Sequence, residues 1–245
     1  MGLSTAAETA RKLVEPVLTV VFPSACAACG HLLSQPTRGP LCGACWDAVP
    51  RHQPPACRCG LPRPPGRPAC GRCRRGRQPF SAGTSLGPYE GPLRIAIHEL
   101  KYRGRRRVAG RLAEALLESR PARVLLDGSD VLVPVPLHPR RLRERGYNQA
   151  ALLAGELGRR TGRPLGERVL VRRKDTAPQA GLSAAARRRN VAGAFAVRQK
   201  GFIAGRVVTL VDDVFTTGAT AYACARALRE AGAREVRWLS IARVL

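Results

Sequence analysis

VVTLVDDVFTTGAT, residues 207–220, is the stretch of this 245-residue chain that indicates its fold. Five mostly apolar, largely β-branched residues lead into two adjacent carboxylates, Asp212 and Asp213. Three threonines and a glycine soon follow, and then an apolar helical pattern begins. The β-branched run predicts a strand, and the glycine predicts a turn into a helix. Two like charges at the end of a buried strand repel each other, so their presence indicates a function rather than a packing role.

The segment after the strand has the features of an anion site. Free backbone N–H groups and the positive end of the helix dipole converge at a helix N-terminus. Thr216, Thr217 and Thr220 add hydroxyl donors, and Gly218 allows a phosphate to approach the backbone closely. The two aspartates are acceptors for a pair of neighbouring hydroxyls, or for a metal that screens their repulsion. A phosphate beside a cis-diol describes ribose 5-phosphate, which is the ligand that this stretch predicts.

Two other interpretations fit the loop taken alone. Acidic pairs at strand ends also occur in phospho-receiver domains, and an acidic pair followed by TTG is also compatible with an ordinary capped turn. Receiver domains place the pair near the start of the fold and lack a threonine-rich loop. The position and composition of residues 212–220 therefore favour binding of a ribose phosphate.

Strands and helices alternate along the chain from about Phe80 onward. The predicted strands cover residues 81–91, 130–138, 168–174, 192–198, 207–213 and 235–245. The predicted helices cover residues 92–104, 111–119, 148–162 and 220–232. Such alternation predicts an α/β fold, with a mostly parallel sheet flanked by helices on both faces. Ligands of these sheets bind beyond the carboxyl ends of the strands, which is where residues 212–220 lie.

Eight of the nine cysteines lie between residues 26 and 73. They form four pairs: Cys26 and Cys29, Cys42 and Cys45, Cys57 and Cys59, and Cys70 and Cys73. A C-x-x-C turn presents two thiolates, and a second pair completes a tetrahedral zinc site. Disulfides and redox-active dithiols are the alternatives, but disulfides are disfavoured without a secretion signal, and four pairs exceed what a redox site needs. The first two pairs predict one structural zinc site and the last two a second.

The third pair is C-x-C, one residue short of a usual zinc knuckle, and His31 or His52 is an alternative ligand if a thiolate is badly placed. Residues 24–79 contain few large apolar residues, so bound zinc would supply the missing stability. We therefore expect two domains. Residues 1–79 form an N-terminal helix and a cysteine-rich zinc-binding module, and residues 80–245 form the α/β domain. The ninth cysteine, Cys224, is expected to be a small core residue.

The formal net charge is +25 at pH 7, and all but four of the 42 basic residues are arginine. Such a charge fits a polyanionic partner, whereas the excess of arginine over lysine also fits a GC-rich genome, and both explanations stay open. The chain contains no apolar run of about 18 residues and no secretory cleavage pattern. No membrane span is expected, and a cytoplasmic location is predicted.

Several motifs together are similar to those of one family. Residues 207–220 resemble the phosphoribosyl-pyrophosphate (PRPP) motif of type I phosphoribosyltransferases. The chain as a whole resembles the ComF family (ComFC- and GntX-like proteins), through the cysteine pairs, LKYRG (100–104), VPVPLHPRRLRERGYNQ (133–149) and DTAPQAGLSAAARRRNVAGAF (175–195). The resemblance implies a type I phosphoribosyltransferase-like domain after a zinc module, and PRPP bound with Mg²⁺. The C-x-C pair departs from the family's usual C-x-x-C.

The resemblance also implies roles for individual residues. The expected catalytic pair, which holds the ribose diol, is Asp212 and Asp213. The residues expected around the 5-phosphate are Thr216, Thr217, Gly218, Ala219 and Thr220. The other implied PRPP contacts are Lys101, the pyrophosphate-loop residues His138, Arg140 and Arg141, and Gln179, Arg187 and Asn190 of a mobile lid. For the basic turn that contains His138, Arg140 and Arg141, and for Lys101, the alternative is a solvated surface position. Residues 146–149 either cap a helix or border the acceptor pocket.

Two functions are implied by the resemblance. As an enzyme, the protein would transfer the phosphoribosyl group of PRPP to an unknown nitrogen acceptor, such as a nucleobase, with release of pyrophosphate. ComF family members are also associated with natural transformation, where they assist import of single-stranded DNA with a helicase-like partner. The alternative function is therefore a non-catalytic competence protein that binds nucleic acid and uses the pocket only for a nucleotide. Aromatic residues make up 4% of the chain, so stacking is limited to a few residues such as Trp46, Tyr89 and Tyr102.

Overall fold

The computed structural model describes residues 24–51, 57–60, 66–74, 79–174, 186 and 190–244. The predicted N-terminal helix lies before residue 24 and therefore outside the described residues. His52 and two of the predicted lid residues, Gln179 and Arg187, also lie outside them, whereas Asn190 is described.

The described residues of the cysteine-rich segment contain little regular structure. Its helices are α1 (Gly43–Asp47) and α2 (Gly71–Arg74), and a 3₁₀ turn lies at Pro36–Arg38. Each of the two α-helices carries one of the predicted cysteine ligands, Cys45 in α1 and Cys73 in α2. The short elements agree with the expectation that this segment depends on bound metal rather than on its own core.

A four-stranded parallel sheet forms the centre of the rest of the molecule. In spatial order its strands are β1 (Ala82–Pro88), β6 (Glu235–Arg243), β5 (Val207–Phe215) and β2 (Val131–Pro134). All neighbouring strands are parallel, and Val211 of β5 pairs with Pro134 on one side and Leu239 on the other. The first five residues of β5 are all buried, as expected for a parallel strand that is covered on both faces. The predicted α/β class with a mostly parallel sheet is confirmed.

Helices cover both faces of this sheet. They are α3 (Gly91–Tyr102), α4 (Val108–Glu118), α5 (Arg120–Asp127), α6 (Pro139–Arg145), α7 (Gln149–Thr161) and α8 (Ala219–Glu230). Val208 and Leu210 of β5 share a core with α8, whereas Val211 shares the opposite core with α3, α4, α5 and α7. Within the described residues, no helix is long and apolar enough to cross a membrane.

Two of these helices differ from the sequence-based expectation. Helix α5 follows α4 almost without a break, and its buried residues Ala122, Leu125 and Leu126 lie outside the predicted helices. Helix α6 has no buried residue, so it has no apolar period from which it could be detected. It turns the segment that was predicted as a basic loop into a helix that ends at Gly146, where φ is 77°.

The remaining predicted strands and helices of this part of the chain are present, and all the predicted strands except β5 are shorter than expected. The Asn148 side chain accepts a hydrogen bond from the Ala150 N–H at 3.0 Å and caps α7, and Gly162 ends that helix, as expected. The strands predicted at 168–174 and 192–198 are β3 (Leu170–Arg172) and β4 (Phe195–Val197). They pair antiparallel in a separate two-stranded sheet.

The cysteine-rich segment packs directly on the α/β domain. Leu33 and Trp46 belong to the same apolar core as Leu86 of β1. Farther along the segment, the N–H of Gly83 donates to the carbonyl oxygen of Arg58 at 2.7 Å. The two parts thus share buried surface, and the domain boundary between residues 79 and 80 stays a prediction.

Candidate functional site

A cavity of about 440 Å³ opens at the carboxyl end of the sheet. The end of β5, the start of α8, the end of α3 and the loop after β2 contribute to its wall. It brings together most of the residues predicted to bind PRPP: Lys101, Arg141, Asp212, Asp213, Thr216, Gly218, Ala219 and Thr220. Residues more than 100 positions apart in the sequence therefore meet where ligands of parallel sheets bind.

Asp213 forms a buried ion pair with Lys101 at the base of this cavity. The Lys101 Nζ lies 2.9 Å from the Asp213 Oδ1, and the two side chains are 16% and 6% exposed. Burial is the largest influence and would lower the pKa of Lys101, but the hydrogen bond and charge of Asp213, together with the charge of Asp212, outweigh burial, and the pKa is raised. Lys101 is thus not a solvated lysine at a helix end, which was the alternative interpretation of its position.

The second oxygen of Asp213 lacks a partner among the described residues. Oδ2 is buried and accepts no hydrogen bond there. Buried carboxylate oxygens are normally hydrogen-bonded or bound to a cation, so this atom is free to accept a ligand hydroxyl or to coordinate a metal ion. An oxygen donor of this kind fits Mg²⁺, for which Asp212 and Asp213 are the available carboxylates.

The anionic form of Asp212 is destabilised by its surroundings. Burial raises the pKa of Asp212 to about 8, and the negative charge of Asp213 adds to the effect, against the opposing influence of Lys101 and Arg172. Asp212 Oδ1 accepts the Asp213 backbone N–H at 2.8 Å. The Asp212 carboxyl therefore keeps its proton near neutral pH until a cation or another charge stabilises the anion.

Strand β5 continues two residues beyond its predicted end and stops at Phe215, and the segment 216–220, here called the anion loop, follows it. Gly218 has a φ of 79° and caps α8. A Cβ atom on Gly218 would lie 2.5 Å from the Phe215 ring and 2.8 Å from the Tyr222 ring. Glycine is thus required both by the backbone and by the two rings. The first turn of α8 contains no acidic residue, so the positive end of its dipole faces the cavity uncompensated.

Cationic side chains also line the cavity, and the set formed by Lys101, Arg141, Arg145 and Arg172 is here called the cationic wall. Besides Lys101 and Arg141, the described residues that line it include Arg145 and Arg172, together with the aromatic residues Tyr89 and Tyr102. The Arg145 Nη1 donates to Gln149 Oε1 at 2.6 Å, and its guanidinium lies 5.3 Å from the centre of the Tyr102 ring. Four cations around two carboxylates make the cavity suitable for a polyanion.

Sequence reasoning missed Arg145 and Arg172 as site residues. Arg141 and Arg145 are four positions apart, so both lie on the same face of α6, and a helix prediction for residues 139–145 would have found Arg145. Arg172 belongs to the small sheet formed by β3 and β4. Its place beside Asp212 depends on how that sheet packs over the cavity, for which the sequence has no local signal.

Three predicted contacts lie away from the cavity wall. His138 caps α6, with its Nδ1 accepting from the Arg140 N–H at 3.4 Å, and the Arg140 side chain is 68% exposed and pairs with Glu144. Thr217 Oγ1 is the acceptor for the Ala219 N–H at 3.5 Å and thus shapes the anion loop from within. Roles of His138, Arg140 and Thr217 in binding stay predictions, as does that of Arg187. Cys224 is fully buried, in agreement with its predicted place in the core.

The eight N-terminal cysteines form two groups. The first cluster consists of Cys26, Cys29, Cys42 and Cys45, and the second cluster of Cys57, Cys59, Cys70 and Cys73. Within each cluster all four sulfur atoms lie within 4.8 Å of one another. A tetrahedral zinc ion with Zn–S bonds of about 2.3 Å separates its sulfur ligands by about 3.8 Å. The observed Sγ–Sγ distances of 3.7 Å between Cys29 and Cys42 and 3.5 Å between Cys59 and Cys70 fit this geometry.

The geometry resolves the doubt about the C-x-C pair, because Cys57 and Cys59 both join the second cluster. Neither cluster needs a histidine as its fourth ligand, although His31 Nδ1 lies 3.3 Å from the Cys29 sulfur. Burial acts to raise the pKa of Cys26, but backbone N–H donors, that of Cys42 at 3.3 Å among them, outweigh it and lower the pKa to about 6. These donors favour the thiolate, which is the form that binds zinc.

Two four-cysteine clusters, next to a parallel sheet whose cavity is suited to anions, define a zinc-ribbon protein of the α/β class.

Comparison with known proteins agrees with this class. Residues 17–74 match the family model of the double zinc ribbon domain. The DNA utilization protein YhgH of Salmonella typhimurium is 35% identical over 236 residues, which cover 94% of this chain and 100% of that protein. Competence protein F of Haemophilus influenzae is 36% identical over 178 residues, 71% of this chain and 78% of that protein. The chain belongs to the ComF family.

Solved structures provide a weaker comparison. The glutamine PRPP amidotransferase of B. subtilis aligns with 54% of this chain and 25% of its own, at 23% identity and a TM-score of 0.37. A TM-score this low carries no argument about function. The cavity itself has to support any assignment.

Proposed function

We propose that the protein binds PRPP with Mg²⁺ in this cavity and transfers the phosphoribosyl group to a nitrogen acceptor. The observation that carries the proposal is the buried Asp213 carboxylate, with one oxygen paired to Lys101 and the other unpartnered among the described residues, next to a glycine-capped helix N-terminus. A vicinal diol and a phosphate ester on one sugar match these two features. The assignment to the ComF family supports the same choice.

The anion loop is suited to the 5-phosphate. The Gly218 cap leaves no side chain between the loop backbone and the cavity, and the threonine hydroxyls of Thr216 and Thr220 border the same space. Helix α8 is 12 residues long, so its dipole is fully developed at this end. A dianionic phosphate would gain the N–H groups that a helix N-terminus leaves without intrahelical partners.

The acidic pair is suited to the ribose hydroxyls and to a cation bound with them. Mg²⁺, when bound, would neutralise the diphosphate and make it a better leaving group. Asp212 and Asp213 would hold the diol, and the cation would lower the cost of ionising Asp212 beside the negatively charged Asp213. Binding should therefore release the Asp212 proton at neutral pH.

The cationic wall is suited to the diphosphate. In the proposed reaction a bond forms between the acceptor nitrogen and C1 of the ribose, while the bond from C1 to the diphosphate oxygen breaks and the electron pair leaves with diphosphate. The acceptor proton passes to solvent. Lys101, Arg141 and Arg145 would stabilise the charge that develops on the leaving group, so catalysis consists of positioning and charge stabilisation without a protein nucleophile.

Pyrophosphate release from PRPP and Mg²⁺ in the presence of a panel of nucleobases tests the enzyme proposal. We expect release with at least one base, and we expect Arg141→Gln to weaken PRPP binding about tenfold, since one charge-assisted contact to the diphosphate is lost. Arg143→Gln is the matched control, because Arg143 lies on the same helix but faces solvent. If PRPP binds but no pyrophosphate is released with any base, the protein only binds PRPP and the transferase proposal is wrong.

A second candidate function is non-catalytic: the protein would bind single-stranded DNA during natural transformation, together with a helicase-like partner, and would use the cavity only for a nucleotide. Its specific support is the similarity to proteins named for competence and DNA utilization, together with the net charge of +25. We expect affinity for a labelled oligonucleotide to fall steeply with salt, because counterions are released when arginines neutralise phosphates. Anisotropy titrations across a salt series measure the slope. If the affinity for the oligonucleotide did not change with salt concentration, contacts to phosphates could not be the source of binding.

A further inference from the structure

Arg243 is a buried charge that the proposed chemistry does not use. It ends β6, and the residue is 1% exposed. Burial of a guanidinium is costly unless surrounding groups hold it in place. The contacts on its two sides therefore indicate what this residue connects.

One side of Arg243 holds the second cluster. Its Nη1 donates to the backbone carbonyl of Cys59, a ligand of that cluster, at 2.7 Å. The neighbouring Arg58 carbonyl accepts the Gly83 N–H, also at 2.7 Å. A Cβ atom on Gly60, where φ is 75°, would lie 2.7 Å from the Gly83 oxygen, so glycine is needed for this close approach. Residues 58–60 are thus seated on β1 and β6 through their backbone.

The other side of Arg243 holds the wall of the cavity. Its guanidinium lies 4.6 Å from the centre of the Phe215 ring and 5.2 Å from that of Trp238. These two rings are stacked, with centroids 4.1 Å apart. Phe215 lines the cavity and would clash with any side chain at Gly218, so its ring fixes where the anion loop turns.

We propose that Arg243 is a positioning residue that couples the second cluster to the anion loop. The cluster sets the position of the Cys59 carbonyl, this carbonyl orients the guanidinium, and the guanidinium holds the Phe215 ring against Gly218. Loss of metal from the second cluster then loosens the anion loop, although no cysteine lines the described part of the cavity. The effect on ligand affinity rests on the proposed PRPP function, whereas the coupling to the loop does not.

Linkage adds a reciprocal consequence. If metal in the second cluster strengthens ligand binding by some factor, the ligand must strengthen metal binding by the same factor. We expect a factor of about tenfold, in the usual range for coupled sites. A cavity ligand should therefore slow the transfer of one of the two zinc ions to a chelator.

Hydrogen exchange of the anion loop in Arg243→Met tests the coupling without any ligand. We expect this variant to retain two zinc ions and to show exchange of the amides at 216–222 about tenfold faster than the wild type. Arg237→Met is the matched control, because Arg237 is also on β6 but contacts Glu235 and the Leu125 carbonyl. If Arg243→Met fails to fold, Phe215→Leu replaces it, since that change removes the stacked ring and leaves the bond from Arg243 to Cys59.

The second arm measures PRPP affinity and zinc transfer. We expect Arg243→Lys to lie between the wild type and Arg243→Met, because lysine keeps a donor for Cys59 but cannot stack as a plane. The PRPP affinity of the wild type tests the proposed function, whereas the hydrogen exchange of the anion loop tests the coupling. Either proposal can therefore be refuted without the other. A folded Arg243→Met or Phe215→Leu protein with two zinc ions and unchanged loop exchange would overturn the coupling.

Discussion

The Asp212→Asn variant is expected to bind Mg–PRPP at least about 100-fold more weakly than the wild type and yet to be more stable. Binding is lost because an amide cannot coordinate a cation or accept the diol as a carboxylate does. Stability rises because the change removes one of two buried neighbouring acids, whose mutual repulsion destabilises the folded protein. We expect a gain of at least about 1 kcal/mol in the free energy of unfolding at pH 8.

The gain should depend on pH. Because burial and Asp213 raise the pKa of Asp212 to about 8, the folded protein holds this proton more tightly than the unfolded chain. The stabilising contribution of the proton is complete below the ordinary carboxyl pKa of about 4 and is lost as the pH rises toward 8. The advantage of Asp212→Asn therefore grows between these values and then levels off. Calorimetry across this range measures it, with Asp127→Asn, an exposed change, as control.

Asp213→Asn should weaken PRPP binding to the same extent as Asp212→Asn, but it should lower the free energy of unfolding. This change leaves the Lys101 ammonium buried beside an amide, and breaking a buried ion pair costs about 3 kcal/mol. Equal stability changes in the two variants would contradict the distinct roles assigned to the two acids. Retained PRPP binding in both would remove the carboxylates from the site.

Removal of zinc is expected to unfold residues 57–60 and 66–74, whereas the residues of the first cluster are expected to stay partly buried. In the second cluster the buried residues are the cysteines Cys57, Cys59 and Cys70 themselves, with no large apolar side chain among them. Cys26 of the first cluster packs instead with Leu33, Trp46 and the main core. Free energies of zinc binding reach about 10 kcal/mol in small zinc-dependent peptides, which exceeds what such a segment could otherwise supply.

Metal analysis and limited proteolysis check this expectation. We expect two zinc ions per chain, and after chelation we expect trypsin to cleave within residues 57–60 and 66–74 at least about 100-fold faster, because a locally unfolded segment is open to the protease. Cys59→Ser should retain one zinc and show the same cleavage. Cys224→Ala, outside both clusters, should retain two. A folded preparation without zinc would refute the assignment of both clusters.

The parts of the site that the sequence predicted are those with a local signal. Strand β5, Gly218 and α8 follow one another in the chain, so β-branched residues, a glycine and an apolar helical period identify them directly. The cysteine pairs are identifiable for the same reason. Spacing alone does not fix the direction of a thiol, so only the structure places both cysteines of the C-x-C pair in the second cluster.

The parts that the sequence did not predict depend on long-range packing. Arg172 comes to Asp212 on a separate small sheet, and Arg243 contacts Cys59, 184 positions away. The buried pair of Lys101 and Asp213 was predicted as two contacts of one ligand, not as partners of each other. An ion pair of this kind depends on which helix covers the end of the sheet, and no local pattern encodes it.

The place of β6 in the sheet has a consequence for how a new chain folds. Among the described strands, β6 is last in the sequence, yet it lies between β1 and β5. During synthesis both cysteine clusters and all six of the helices α3 to α8 leave the ribosome before β6 does. Until then β1 has no strand beside it and one edge of β5 stays open, which makes a nascent chain shorter than 235 residues prone to associate through these edges.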